Sequence, residues 1–503
     1  MNQNEIKTLG ELKKRGYVSK SIKNELRDNL IQFLNKGQNP FEGIVGYDDT
    51  VIPDLQTAIL SRHDIILLGL RGQAKTKIAR LLINLLDEYI PVIDGSELND
   101  DPLNPLSVVA KEILSNDGDD TKISWLHRTE RYTEKLATPD VSVADLIGDV
   151  DPIKAAALKL PYSDERVIHF GLIPRSHRSI FVINELPDLQ ARIQVALFNI
   201  LQESDIQIRG FKVRLPLDIQ FVFTANPEDY TNRGAIVTPL KDRIDSQILT
   251  HYPKNIEVSK RITEQEAKLS EAQKAQISTD EILNDLIEQI AFEARGSEYI
   301  DAKSGVSARL TISAYENLIS TAERRKIINK EKETLLRVSD IFGVIPSITG
   351  KIELVYEGEQ EGPAKVAQIL ISKAIRNNFS DYFPTPDSLK KSQGPSPYHP
   401  IVEWFKKGNK IDLMMNLSNK DYEKTLNDIP CLEEVVNKYH PKLNGQGKIL
   451  LMEFLLFGLS EYSLLSRTKI EDGLQFRDML SSMFTMQEDD DFEDENDSSF
   501  SKS

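Results

Sequence analysis

The feature that most constrains this chain is an apolar run that breaks into a glycine-containing loop and then a helix. Residues Ile65–Leu68 are four consecutive large aliphatics bounded by turn residues, which is typical of a buried parallel strand. The loop 69–76 follows, and leucine and isoleucine then recur at helical spacing from Lys77 to Glu88. The sequence therefore predicts a strand, a tight loop and a helix in direct succession.

The loop has the spacing of a phosphate-binding loop with one departure. Four residues separate Gly69 from Ala74, Lys75 and Thr76, which stand where the pattern has glycine, lysine and serine or threonine. In such a loop backbone N–H groups bind phosphate, the lysine ammonium meets the outer phosphates and the hydroxyl binds Mg²⁺. Ala74 adds a methyl group where glycine lets phosphate approach closely. By itself the stretch also fits an ordinary strand-to-helix turn. The predicted nucleotide-binding residues are Gly69, Gly72, Gln73, Ala74, Lys75, Thr76 and Lys77.

Composition narrows the class of protein. At 503 residues, and roughly 150 residues per domain, the chain suits about three domains. The formal net charge of -16 argues against nonspecific nucleic-acid binding, because such binding depends on neutralising phosphates. The single cysteine, Cys431, fits a reducing compartment, and the seven histidines show no metal-ligand spacing.

Nothing in the sequence predicts export or a membrane span. The first twenty residues lack the apolar core of a secretory signal. The longest apolar segment, 449–465, is interrupted by Glu453 and Glu461, so it predicts a buried helix rather than a membrane span. We therefore expect a cytoplasmic protein.

A second polar motif follows another apolar run. Residues Ser179–Ile183 form a predicted buried strand that ends in Asn184 and Glu185. In P-loop ATPases an aspartate at the first of these positions holds the Mg²⁺ sphere, and the next glutamate polarises the attacking water. An amide at 184 keeps an acceptor oxygen but loses the charge, so Mg²⁺ affinity should fall. Taken alone, the pair also fits a simple strand-end cap.

Further along the chain, alternating residues on either side of Arg209 and Gly210 predict a hairpin. The strand 219–227 then ends in a polar amide, Asn226, which is suited to hold a water between Glu185 and the γ-phosphate. Arg243 lies in the next motif, and a last strand is predicted at about 247–251. A short strand is also predicted at Tyr89–Asp94 and a helix at 188–202, and a lone alternating run at 350–356 indicates one further strand.

Together these motifs resemble the AAA+ ATPases of the magnesium-chelatase I-subunit and MoxR group. The resemblance is strong over 41–255 and weak to about 325. It rests on 171–190, the hairpin, 224–227 and 240–243. It implies an α/β AAA+ fold with a parallel sheet in 5-1-4-3-2 order, a helical lid, and helical extensions at both ends.

The resemblance also implies roles for single residues. Lys75 and Thr76 bind phosphate and Mg²⁺, Asn184 borders the metal, Glu185 is the catalytic glutamate and Asn226 is sensor 1. Two arginines are implied as well. Arg243 is the finger that reaches a neighbour's γ-phosphate, and Arg309 is sensor 2.

The expected organisation has five parts. These are an N-terminal helical extension (1–40), the AAA+ core (41–255), the lid and following segment (256–382), a C-terminal helical region (401–486) and an acidic tail (487–503). Eight acids against one lysine make that tail typical of a disordered end. No residue in 401–486 suggests a chemistry.

The leading hypothesis is an ATP-hydrolysing homo-oligomeric ring, expected to be a hexamer, that remodels a protein partner containing a von Willebrand factor A domain. ATP and Mg²⁺ are the implied cofactors. One alternative is a nucleotide-binding scaffold that hydrolyses ATP slowly or not at all because of Ala74 and Asn184. Another is a regulator resembling sigma-54 activators, although the chain lacks their GAFTGA loop and terminal helix-turn-helix.

Overall fold

The computed structural model describes residues 6–479 except 163, 204, 209–213, 228–234, 391–394 and 444. The chain divides into two compact units, one ending at Tyr252 and the other beginning at Pro253. None of the described helices is both long enough and apolar enough to cross a membrane.

The first unit contains short helices around a central sheet. Its helices are α1 (Leu9–Lys14), α2 (Ile22–Asn35), α3 (Val51–Leu60), α4 (Lys75–Leu81), α5 (Val108–Asp117), α6 (Val143–Leu146), α7 (Pro152–Leu158), α8 (Leu172–Arg175), α9 (Ala191–Ala196), α10 (Phe198–Glu203) and α11 (Thr238–Arg243). Its strands are β1 (Ile65–Leu68), β2 (Tyr89–Ile93), β3 (Ile123–His127), β4 (Tyr132–Leu136), β5 (Gly148–Val150), β6 (Ile168–Phe170), β7 (Ser179–Asn184), β8 (Asp205–Gln207), β9 (Arg214–Pro216), β10 (Ile219–Ala225) and β11 (Ser246–Leu249).

The central sheet is parallel, in the order β11-β1-β10-β7-β4. Counting only these strands along the chain, the order is 5-1-4-3-2, which confirms the predicted fold. Ile65 and Leu67 of β1 pack with α2, α3 and α4 on one face, and Ile66 and Leu68 pack on the opposite face. This two-sided burial explains the unbroken apolar run.

Three predicted elements of this unit differ from the structure. The strand at Tyr89–Ile93 exists, but it pairs antiparallel with β3, and β4 takes the second position of the central sheet. The helix after the loop starts at Lys75 and tightens into a 3₁₀ turn at Leu82–Leu85. The predicted helix 188–202 is divided between a 3₁₀ turn at Leu186–Asp188, α9 and α10.

The predicted hairpin is present in its described part. Its two strands pair antiparallel as β8 and β9. The predicted turn at 209 and 210 lies outside the described residues.

The second unit is mainly helical. Its helices are α12 (Ile256–Glu266), α13 (Glu271–Gln276), α14 (Glu281–Arg295), α15 (Arg309–Asn329), α16 (Ile345–Thr349), α17 (Tyr356–Glu361), α18 (Pro363–Tyr382), α19 (Pro386–Leu389), α20 (His399–Lys406), α21 (Asn419–Asn427), α22 (Leu432–Tyr439) and α23 (Gln446–Glu461). Its strands are β12 (Ile277–Ser278), β13 (Thr334–Leu335), β14 (Ile411–Met414), β15 (Ser466–Ile470) and β16 (Gly473–Arg477).

One hydrophobic cluster extends through this unit, from Ile277 to Phe476. The C-terminal helical region is present, and it also contains a small antiparallel sheet in the order β14-β16-β15. The predicted strand at 350–356 was wrong, because Leu354 makes an isolated bridge to Ile300 and α17 begins at Tyr356. A run of alternating residues cannot form a strand where no neighbouring strand supplies hydrogen bonds.

Candidate nucleotide site

Three predicted motifs meet at one edge of the central sheet. β1, β10 and β7 are neighbouring parallel strands, so their carboxyl ends lie at the same edge. The backbone N–H of Gly69 donates to the carbonyl of Ala225 at 3.2 Å, which joins the start of the loop to the end of β10. Asn184 is the last residue of β7, on the other side of β10, and Glu185 follows it. This edge is where parallel α/β sheets bind ligands.

The loop has the backbone conformation that its glycines allow. Gly72 has a φ of 74° and Ala74 has a φ of 57° and a ψ of 14°, so both lie in the left-handed region. A Cβ at Gly69 would collide with the side chains of Thr250 and Gln73. Gly69 and Gly72 are therefore required by geometry, whereas Ala74 occupies a conformation that disfavours a side chain.

The Lys75 ammonium lies inside the curve of the loop. It donates to the carbonyl oxygens of Gly69 and Leu70, the latter at 2.8 Å, and to Oδ1 of Asn226 at 2.8 Å. The structure thus brings together Lys75 and Asn226, which are 151 positions apart in the sequence. A cation surrounded by carbonyl and amide oxygens at a strand edge is suited to meet an anion.

The segment before α3 lies against the loop. The Tyr47 hydroxyl donates to the Gln73 carbonyl at 3.1 Å, and the Lys77 ammonium donates to the Gly43 carbonyl at 3.1 Å. The Gln73 side chain accepts a hydrogen bond of 2.7 Å from the Thr250 hydroxyl. The contacts of Tyr47 and Thr250 hold Gln73 of the loop in place. The Lys77 ammonium is directed to the 41–47 segment.

At the end of β7, the oxygen and the nitrogen of the buried Asn184 amide both form hydrogen bonds. Oδ1 accepts a hydrogen bond of 3.0 Å from the Thr224 hydroxyl, and Nδ2 donates to a carboxylate oxygen of Glu134 at 2.6 Å. The half-buried Glu185 has a φ of 56°, and its N–H donates to Thr224 Oγ1 at 3.1 Å. Thr224 thereby fixes both residues of the motif.

Glu134 joins the site to α4. Its carboxylate accepts from Arg80 Nε at 2.9 Å and from the Tyr132 hydroxyl at 3.2 Å. The hydrogen bond with Glu134 raises the pKa of the Arg80 guanidinium. Burial, and then the negative charge of Glu134, raise the pKa of the Tyr132 phenol, so this hydroxyl stays protonated at neutral pH.

The two predicted arginines differ in their surroundings. Arg243 donates through Nη1 to the Pro239 carbonyl at 2.7 Å and through Nη2 to Gln202 at 2.8 Å, and it stacks on Phe198 at 5.0 Å. These contacts are with α10 and α11, not with the loop. Arg309 is exposed and begins α15 in the second unit. Their roles as finger and sensor 2 stay predictions.

Magnesium would have to be held by oxygen atoms. The described residues contain no group of three or more His, Cys, Asp or Glu side chains that could hold a metal by themselves. Mg²⁺ keeps several waters and takes few protein oxygens together with substrate phosphates. The hydroxyl of Thr76, the amide of Asn184 and the carboxylate of Glu134 fit that chemistry.

Sequence reasoning missed Glu134, Arg80 and Thr224. β4 reads Tyr-Thr-Glu-Lys-Leu, so it lacks the apolar run that identified β1 and β7. Arg80 offered no signal beyond its position in a predicted helix. Thr224 could have been found, because it lies two residues before Asn226 on a strand already assigned to the site.

Comparison with known proteins gives one curated relative and several solved structures. No family model matches the sequence. The chain is 26% identical over 229 residues to the magnesium-chelatase subunit ChlI homolog of Methanocaldococcus jannaschii, which covers 45% of this chain and 59% of that protein. The match thus spans about three fifths of the relative's length.

The solved structures are more distant. A putative ATPase from Cytophaga hutchinsonii is 18% identical, with 72% of this chain and 98% of that chain covered at a TM-score of 0.29. A BchI and BchD complex of magnesium chelatase is 16% identical, with 64% and 98% covered at a TM-score of 0.33. Scores this low support no functional argument.

The parallel sheet order, with the loop 69–76 after the first strand and the Asn184-Glu185 pair at the end of the third, is the fold predicted for an AAA+ protein. The sequence relative agrees with the predicted resemblance to the magnesium-chelatase I-subunit and MoxR group of AAA+ ATPases.

Proposed function

We propose that this protein binds and hydrolyses ATP as an AAA+ motor that remodels or activates a protein partner. The observation that carries the proposal is the 2.8 Å contact between the Lys75 ammonium and Oδ1 of Asn226. Asn226 follows β10, and Glu185 follows β7, which is the next strand of the sheet. A cation, a polar amide and a carboxylate therefore share the edge where three strand ends meet. These are the groups that phosphoryl transfer to water requires.

Each group has a distinct task. On nucleotide binding, Lys75 exchanges its contacts with Gly69, Leu70 and Asn226 for the outer phosphates. Asn226 is then available to orient the attacking water, and Glu185 polarises it. Catalysis rests on positioning and on charge stabilisation rather than on covalent chemistry.

Thr76 and Asn184 are the residues that would hold Mg²⁺. When bound, the ion neutralises the charge that develops on the phosphate oxygens. The Thr224 hydroxyl keeps Asn184 and Glu185 in fixed positions, with hydrogen bonds of 3.0 and 3.1 Å. The two strand-end residues therefore do not have to be ordered when nucleotide binds.

Assembly supplies the remaining catalytic group. Arg243 acts at the γ-phosphate of a neighbouring subunit in a homo-oligomeric ring of six subunits, and Arg309 acts as sensor 2. The support is chemical, because the partners of Arg243 among the described residues are neutral acceptors and an aromatic ring rather than a carboxylate. The partner is a protein with a von Willebrand factor A domain, and the site of action is the cytoplasm.

A second candidate function is a nucleotide-binding scaffold with slow hydrolysis. Two observations favour it: Ala74 lies in a strained conformation in the loop, and Asn184 has no negative charge for the metal. Steady-state hydrolysis by the unmodified protein separates the two functions, since the scaffold would bind ATP without turnover.

The phosphate loop is tested with Lys75→Ala. Removing the ammonium should lower ATP affinity at least about 30-fold, because truncating one partner of a desolvated charge contact costs about 2 kcal/mol or more. Calorimetric titration with ATP measures this. Lys13→Ala, which removes an exposed lysine paired with Asp119, is the matched control and should bind like the unmodified protein. Equal affinity of Lys75→Ala and the control would remove the phosphate-loop assignment.

A further inference from the structure

The negative charge missing from position 184 has a counterpart next to it. Asn184 Nδ2 lies 2.6 Å from a carboxylate oxygen of Glu134, and Asn184 Oδ1 accepts from the Thr224 hydroxyl. The amide is therefore oriented, with its donor facing β4. A carboxylate thus lies one hydrogen bond away from the position where P-loop ATPases carry their metal-side aspartate.

Glu134 also lies on the side of the sheet that carries the phosphate loop. Leu136 of β4 is paired in register with Asn184, and side chains two residues apart on a strand share a face. Tyr132, on the same face, packs against the hydrophobic cluster that includes Ile78 and Ala79 of α4. Glu134 therefore points toward α4, and its ion pair of 2.9 Å with Arg80 shows this contact directly.

The ion pair relates Glu134 to Thr76. Arg80 is four residues after Thr76 on α4, so the two side chains lie on one helical face, about one turn or 6 Å apart. The Glu134 side chain is about a quarter exposed, at 23%, so water can reach the carboxylate. The Glu134 carboxylate is thus accessible and charged. It lies against the face of α4 that carries Thr76, whose hydroxyl is the predicted metal ligand.

We infer that Glu134 supplies the metal-side carboxylate of this nucleotide site. It accepts hydrogen bonds from water molecules bound to Mg²⁺, and Asn184 holds it in position by donating from its amide. Such a contact beyond the direct ligands is known to tune metal affinity. The inference rests on the proposed binding of ATP with Mg²⁺.

The pair is chemically matched in only one arrangement. An amide at 184 can donate to Glu134, whereas an aspartate there would place two carboxylates at hydrogen-bond distance, where like charges disfavour both being ionised. Exchanging the two chemistries, with aspartate at 184 and glutamine at 134, retains one donor and one charge. The exchange moves the carboxylate from β4 to β7 without changing the net charge.

The experiment follows binding of a fluorescent ATP analogue as MgCl₂ is titrated, with a parallel measurement in EDTA. Glu134→Gln should raise the Mg²⁺ midpoint about 10- to 100-fold and leave the affinity in EDTA unchanged. Glu134→Gln combined with Asn184→Asp should restore a midpoint near that of the unmodified protein. Arg80→Gln is the matched control, because it removes the ion pair but leaves the carboxylate, and its midpoint should not rise.

Thermal melting checks that each variant folds. Should Glu134→Gln fail to fold, Glu134→Asp serves instead, because its shorter side chain withdraws the charge from Asn184 and should also raise the midpoint. An unchanged midpoint in a folded Glu134 variant, with normal binding in EDTA, overturns the inference and leaves the proposed function intact. If the unmodified protein binds no nucleotide with or without Mg²⁺, both the proposed function and the inference fail.

Discussion

Two residues at the site have a left-handed backbone although neither is glycine. Ala74 has a φ of 57° and Glu185 a φ of 56°. Such conformations cost on the order of 1 to 3 kcal/mol and persist where the surrounding structure imposes them. At Glu185 the left-handed backbone places the carboxylate directly after a buried strand. For Ala74 the same backbone would form more easily with glycine.

Ala74→Gly should therefore stabilise the first unit by about 1 kcal/mol, since the strain of a side chain in the left-handed region is removed. It should also tighten ATP binding, because phosphate can approach the backbone more closely. Thermal unfolding and calorimetric titration measure the two effects. Ala79→Gly, at a buried position inside α4, is the control and should destabilise by about 1 kcal/mol or more. Equal destabilisation by both changes would show that Ala74 is not strained.

The residues predicted at the loop and at the strand ends came from local patterns, since an apolar run followed by polar residues identifies a strand end. Lys75 and Asn226 were predicted independently, and the structure brings them within 2.8 Å. Glu134 could not be predicted in this way, because its role depends on the register between β4 and β7. The register between two strands that are joined by a crossover cannot be predicted from the sequence of either strand alone.

The strands of the central sheet could be predicted where both of their faces are buried, because such strands consist of consecutive apolar residues. β1, β7 and β10 have every residue buried, and all three were predicted. β4 is at the edge of the sheet, carries polar residues and was missed. The 350–356 segment shows the opposite failure, where alternation without a partner strand gave a false prediction.

α23 shows how a charged residue is accommodated in an apolar element. Glu453 is fully buried in this helix, which confirms the buried helix predicted within 449–465. Its carboxylate accepts from the N–H groups of Val338 and Ser339, at 2.5 and 3.2 Å, and from the Tyr422 hydroxyl at 2.6 Å. Burial raises the pKa of Glu453, and the hydrogen bonds from Tyr422 and Ser339 oppose this rise only in part.

Glu453→Leu should lower the free energy of unfolding by about 3 kcal/mol or more, because three buried donors lose their acceptor at about 1 to 3 kcal/mol each. Urea unfolding followed by circular dichroism measures this. Tyr422→Phe, which removes one of the three donors and leaves the carboxylate, should cost less. If Glu453→Leu is as stable as the unmodified protein, the hydrogen bonds of this carboxylate do not stabilise the second unit.

At the scale of the whole molecule, the residues of the proposed site differ in their neighbours. Lys75 contacts Asn226 within the first unit, whereas Arg243 is held on α10 and α11 by Gln202 and Phe198. A surface arginine could instead pair with the neighbouring Asp242 or Asp245, but no ion pair joins Arg243 to either carboxylate among the described residues, and Asp245 accepts a hydrogen bond from the Asp64 N–H. In the proposed mechanism a neighbouring subunit must therefore complete the site.

The most direct test of the ring motor mixes two inactive subunits and measures ATP hydrolysis. Arg243→Ala subunits should bind ATP normally and hydrolyse about 10³- to 10⁵-fold more slowly, as expected for loss of an arginine finger. Glu185→Gln subunits should bind ATP without turnover. Mixing them should recover activity, because some interfaces then pair an intact Glu185 with an intact Arg243. Absence of recovery, with a monomeric mass in sedimentation at every ATP concentration, would contradict the ring motor and leave a solitary nucleotide-binding protein.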